Sequence, residues 1–133
     1  MARPVLVDSS IFIGLARRGT HPLDELSSRA HEVDWATCGM VRMEVVRGIR
    51  DEKSKKQFSE FFDVLINAPT TNRIWESATE LAWTLGRRGV TLPAQDILIA
   101  TCARALDAAV LTWDRHFQMI PGLRVFAEFE EIR

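Results

Sequence analysis

The chain has 133 residues, 47% of them hydrophobic, which suits one globular domain with a substantial core. Its formal net charge of −1 excludes broad electrostatic capture of nucleic acid, so any such contact must come from a local patch. No apolar run approaches the roughly 18 residues of a membrane span, and Pro4-Val5-Leu6-Val7 is interrupted by Asp8 before it can form a signal-peptide core; a single cytoplasmic domain over residues 1–133 is expected.

Val5-Leu6-Val7 reads as a buried strand feeding a turn at Asp8, followed by a helix through Ile11, Phe12 and Leu15 that stops near Gly19. After Pro22, Leu23, Leu26 and Ala30 share a helical face, and Val33-Asp34-Trp35-Ala36 reads as a second strand, with Thr37 placed to cap the next helix. That helix carries Val41, Glu44, Val45 and Gly48. A further helix runs from Ser54 to about Ile66, with Phe58, Phe61, Phe62 and Leu65 on a face that serves either the core or an isologous interface. Another spans Thr71 to Gly86, presenting Ile74, Ala78, Leu81, Ala82 and Leu85, and Leu92-Pro93 introduces the helix that holds Asp96, Ile97, Ala100 and Ala103. Ala109 to Thr112 is a third strand, and Leu123 to Phe126 a final one. Helices alternating with short apolar strands indicate an α/β three-layer domain with a parallel sheet. Cys38 and Cys102, in helix-like segments, read as inert buried thiols.

Four carboxylates stand out against this pattern. Asp8 and Asp114 directly follow strands, where an open parallel sheet places its ligand crevice. Glu44 borders the apolar stripe of its helix and must be solvated, paired with Arg47 or metal-bound. Asp96, near a helix start, is either a capping residue or a site residue. Gathered together, such anions repel one another unless a divalent cation lies between them, and that cation would also orient a phosphate and activate water. Between Arg42 and Lys56, six basic residues face three acidic ones, either a solvated helix face or a local nucleic-acid patch. Ser10 stands where a haloacid-dehalogenase-like phosphotransferase needs a second aspartate. No lysine follows Lys56, against a receiver domain, and a glycine-rich phosphate loop is absent.

Taken in order, Val5-Leu6-Val7-Asp8-Ser9-Ser10, Glu44 within Val41-Arg42-Met43-Glu44-Val45-Val46-Arg47-Gly48, Asp96-Ile97-Leu98-Ile99-Ala100 and Leu111-Thr112-Trp113-Asp114-Arg115-His116-Phe117 resemble PIN-domain proteins, and among them the VapC-type toxins. The resemblance covers nearly the whole chain. It implies an α/β/α fold around a central, mostly parallel sheet and an endoribonuclease that uses Mg2+, with Mn2+ able to substitute. Asp8, Glu44, Asp96 and Asp114 become the catalytic, metal-binding set, supported by Ser9 and Thr112. It further implies structured RNA, transfer or ribosomal, as substrate, a homodimer, and a VapB-type antitoxin whose C-terminal segment enters the toxin groove. The chain departs from many relatives at His116, where they carry a further acidic residue; this leaves three or four carboxylates and removes support for a second tightly held metal. His116 is then either a phosphate contact or a surface residue. Arg47, Arg50 and Lys53 are candidates for positioning an RNA backbone, and Trp113 for base stacking or packing. The alternative is an inactive PIN-fold interaction domain, against which the four intact carboxylates count.

Overall fold

A computed structural model of the protein describes residues 3–132. Strands β1 (Val5–Val7), β2 (Trp35–Cys38), β3 (Ile66–Ala68), β4 (Ala109–Leu111) and β5 (Val125–Phe126) form one sheet in the order β3-β2-β1-β4-β5, every pairing parallel. Helices α1 (Ser9–Arg17), α2 (Pro22–Ser27), α3 (Gly39–Arg47), α4 (Glu52–Asp63), α5 (Asn72–Arg87) and α6 (Ala94–Ala105) complete an α/β/α three-layer architecture. Every residue of β1, β2 and β4 is buried, as a parallel sheet covered on both faces requires, whereas the edge strands β3 and β5 are partly open. Among the described residues no helix is long and apolar enough to cross a membrane.

Several boundaries differ from the sequence reading. The helix expected to run to Ile66 ends at Asp63, because Ile66, Asn67 and Ala68 pair with Ala36, Thr37 and Cys38 at the sheet edge. An isolated helical periodicity does not register that tertiary pairing. Strand β2 starts two residues later than Val33 and takes Thr37 and Cys38 with it. Thr37 is therefore buried in the sheet rather than capping α3, whose N-cap is Cys38 without a side-chain bond. Ala30 and Ala82, expected on packed faces, are exposed.

The aromatic face of α4 is intramolecular. Phe62 is buried, and Phe12 of α1 meets Phe62, Phe58 and Phe61 with ring centroids 5.3, 6.4 and 6.4 Å apart. Arg42 Nη1 donates to Asp63 Oδ1 at 2.8 Å and ties α3 to α4, so this cation of the basic run is already engaged. Cys38, at the end of β2, and Cys102, in α6, are both buried free thiols. The hydrogen bond with Cys102, together with burial, pushes the Cys38 thiol up and keeps it protonated.

Candidate active site

The chain runs from β1 outward to β2 and β3 on one side of the sheet and returns to β4 and β5 on the other. The crevice beyond the C-terminal ends of β1 and β4 is thus the topological switch point of the sheet. Asp8 closes β1. Its backbone N–H donates to the Leu111 carbonyl at 3.0 Å, its side chain is almost fully buried, and it is also the N-cap of α1. Its Oδ2 accepts the Thr112 hydroxyl at 2.8 Å and the Ser10 backbone N–H at 3.4 Å.

Thr112 Oγ1 also accepts the Asp114 N–H at 2.9 Å and lies 3.1 Å from Ser10 Oγ, which in turn accepts the Trp113 N–H at 3.0 Å. This hydroxyl pair joins the turn after β1 to the turn after β4. Thr112 thus lies between Asp8 and Asp114, and Ser10, which sequence reasoning quoted in the first motif without giving it a role, shares that position. The signal available was a second hydroxyl directly after Asp8-Ser9.

Glu44 projects from mid-α3, half-buried, and its Oε1 accepts the Ser9 hydroxyl at 3.3 Å. Burial and the charge of Asp8 push its carboxyl up, opposed by Ser9 and Arg47. Asp96 is buried in the first turn of α6 and is not its cap, since Pro93 holds that position. Burial, with the charges of Asp114 and Asp8, pushes the Asp96 carboxyl up to about 6 against the opposing hydrogen bond from His116. His116 Nδ1 lies 2.9 Å from Asp96 Oδ2 and 3.0 Å from Asp114 Oδ1. His116 is therefore part of the acidic site and not a detached surface residue, and the hydrogen bond to Asp96 raises its pKa.

Asp8, Glu44, Asp96 and Asp114 line one cleft of about 370 Å³, together with Ser9, Ser10, Arg17 and Gln95. One donor atom each from Asp96, Asp114 and His116 falls within 4.8 Å of the others, and Asp8 and Glu44 line the same cleft as Asp96 and Asp114. Hard carboxylate oxygens gathered in this way, with burial and neighbouring charge holding back ionisation of Glu44 and Asp96, fit a divalent cation, which would relieve both penalties. A larger groove, about 740 Å³ between α5 and α6, brings no such donors together among the described residues.

The cation in the cleft wall is Arg17, on the α1 face shared with Ser10, Ile13 and Gly14 at helical spacings; that spacing was the missed signal. Arg47, Arg50 and Lys53 are exposed outside the wall. Trp113 is fixed by packing: its Nε1 donates to the Ala127 carbonyl at 2.7 Å, and Arg18 covers its ring at 4.1 Å. A base stacking on that covered face must first displace Arg18.

A Cβ at Gly14 would collide with Cζ3 and Cε3 of Trp113, whose ring is held by Ala127 and Arg18 and cannot simply swing aside. Gly14→Ala is accordingly expected to cost about 1–3 kcal/mol. Because Trp113 separates Thr112 from Asp114, it should also weaken divalent-metal binding. Chemical unfolding and metal titration of one protein sample read both effects, and unchanged values for both would remove this role for the glycine.

The raised carboxyl of Asp96 sets a pH dependence. A folded pKa of about 6 against an ordinary 3.8 means that its contribution to stability is fully present below the ordinary value and is lost as pH rises through about 6. Cation binding has the opposite dependence, because it requires ionised Asp96. Added Mn2+ is expected to raise the Tm clearly at about pH 8 and little at about pH 5. Thermal melts with and without metal at both pH values check this, and an equal shift at both would contradict it.

The PIN domain family profile matches residues 5–123. Among solved structures, the chain is similar to VapBC2 from Rickettsia felis bound to a promoter DNA fragment, with a TM-score of 0.71 and 19% identity over 91% of this chain and 96% of that one. It is similar to VapBC-1 from nontypeable Haemophilus influenzae, with a TM-score of 0.72 and 18% identity over 91% and 95% of the two chains. DNA-bound VapBC from Salmonella typhimurium gives a TM-score of 0.72 and 18% identity over 92% and 96%. At these identities the likeness is one of fold. No curated protein matches the chain at a significant level. With the profile running from β1 to the segment before β5, and with its acidic residues gathered at the switch point of a parallel sheet, the chain belongs to the PIN-domain family.

Proposed function

We propose that the chain, as one PIN domain, is a divalent-metal-dependent endoribonuclease of the VapC toxin type, acting in the cytoplasm on structured RNA. The observation that carries this reading is the convergence of Asp8, Glu44, Asp96 and Asp114 on one open cleft. Asp96, Asp114 and His116 would hold a Mg2+ or Mn2+ ion, with Asp8 and Glu44 completing its surroundings. Such an ion, when bound, lowers the pKa of water and offsets charge on the phosphoryl oxygens.

The chain's own residues supply the geometry. Thr112 and Ser10 hold Asp8 Oδ2, leaving Oδ1 for the cleft, and Ser9 holds Glu44 Oε1, leaving Oε2. Arg17 offers a charge-assisted contact to an RNA phosphate in the cleft wall, while Arg47, Arg50 and Lys53 extend the basic surface outside it. Water attack should expel the 3′-oxygen and leave 5′-phosphate and 3′-hydroxyl ends. Mapping of product ends with purified protein and metal tests this, and 2′,3′-cyclic phosphate products would rule it out.

The same reading places a VapB-type antitoxin segment in the cleft, with an Arg or Lys near the carboxylates where it would compete with RNA phosphate. Verified antitoxin binding that left cleavage undiminished would overturn that control. A homodimer is also proposed. Phe58 and Phe61 pack on Phe12 yet stay partly exposed, and large apolar side chains left exposed include Trp75 and Trp83 of α5. Light scattering that gave only monomer mass would refute the dimer.

A further inference from the structure

Building on the metal-dependent reading above, we propose that His116 is a nitrogen ligand of the metal centre and biases it toward manganese over magnesium. Nδ1 of His116 stands 2.9 Å from Asp96 Oδ2 and 3.0 Å from Asp114 Oδ1, and the three donors converge within 4.8 Å. A neutral imidazole has at most one proton on that nitrogen, so it cannot give a full hydrogen bond to both carboxylates at once. A cation at the centre of the three donors satisfies them together.

The ring is also held in place. The His116 backbone N–H donates to Asp114 Oδ1 at 2.9 Å, and the next residue, Phe117, is fully buried. The imidazole is thus aimed from an anchored turn at the same two oxygens that a metal would use.

Two chemical effects act in the same direction. Magnesium prefers an octahedral shell of oxygens and retains water, whereas imidazole nitrogen suits the transition metals. A neutral imidazole in place of a carboxylate also removes one negative charge from the donor set, which weakens the Coulombic attraction on which magnesium relies. Manganese loses the same charge but gains a nitrogen bond. The competing arrangement is a protonated imidazolium that serves as a built-in counter-ion to Asp96 and Asp114, in which case the ring opposes every divalent ion alike.

The test uses untagged full-length protein and two probes, Mn2+ and Mg2+, titrated separately by calorimetry, with pulsed electron paramagnetic resonance of the Mn2+ form. Wild type is expected to show nitrogen hyperfine coupling to Mn2+. His116→Asp is expected to lose that coupling and to reduce the manganese-over-magnesium preference about ten-fold. The His116 side chain is 42% exposed, so the substitution should leave the fold intact, and circular dichroism verifies this. Mn2+ binding without nitrogen coupling, or an unchanged preference in H116D, overturns the ligand assignment while leaving the nuclease reading standing. Tighter binding of both metals in His116→Ala also overturns it, in favour of the imidazolium. Failure of wild type to bind either metal removes the proposed function along with this inference.

Discussion

Asp8→Asn is expected to lower RNA cleavage by more than about 100-fold, because substitutions of groups that only orient metal ligands already cost 10–100-fold in affinity or activity. The substitution removes one full negative charge from the cleft while keeping an oxygen acceptor in place. That oxygen can still take the Thr112 hydroxyl and the Ser10 N–H, and asparagine caps a helix as well as aspartate does. The fold should therefore survive. Since the Asp8 charge helps to push up both Glu44 and Asp96, the metal-free variant is expected to be as stable as wild type or slightly more so at neutral pH. Asp8→Ala differs, losing the α1 cap at a cost of about 0.5–2 kcal/mol. Single-turnover cleavage paired with urea unfolding separates the two variants, and full activity in D8N would reject an essential role for Asp8.

Phe117→Ala is expected to destabilise the protein by about 3–5 kcal/mol, the range for removing a buried aromatic ring. Phe117 is fully buried in the 3₁₀ turn Arg115–Met119, immediately after the residues that bring Asp114 and His116 to the cleft. The ring anchors that turn to the core. Its loss should reach the site as well, with metal affinity falling in the population that remains folded. Urea unfolding measures the first effect and metal titration well below the unfolding midpoint the second. A variant of near wild-type stability would show that the turn is held by its hydrogen bonds instead.

The site was partly legible in the chain because its chemistry violates local rules. Glu44 beside Val41 and Val45, Asp8 directly after the apolar run Val5–Val7, and Asp114 three residues beyond Leu111 are misplaced as structural residues, and that misplacement can be read without coordinates. Asp96 was ambiguous because the first turn of a helix stabilises a carboxylate whatever its function. Only the structure shows that it is not the α6 cap and that it lies buried beside His116. Arg17 and Ser10 were missed because each is an ordinary polar residue on a helix start or face. His116 was left open between a phosphate contact and a surface residue because histidine next to phenylalanine has no periodicity that reports which way its ring points.

What the sequence determined by itself is therefore local: apolar runs short enough to be strands, amphipathic spacing in α4 and α5, and carboxylates at element ends, each set by the chemistry of a few adjacent residues. Tertiary structure alone decided the rest. Strand β3 exists because Ile66 to Ala68 finds β2, and the edge registers of β2 follow from the same pairing. Phe62 of α4 became core because Phe12 lies 5.3 Å from it across the α1–α4 contact, with Phe58 and Phe61 packing half-buried at its edge. His116 joined the acidic site because β4 pairs in parallel with β1, bringing the turn after Leu111 beside Asp8. Contacts between residues a hundred positions apart, such as Thr112 with Asp8, arise from sheet order and packing, and no local propensity encodes the geometry in which they meet.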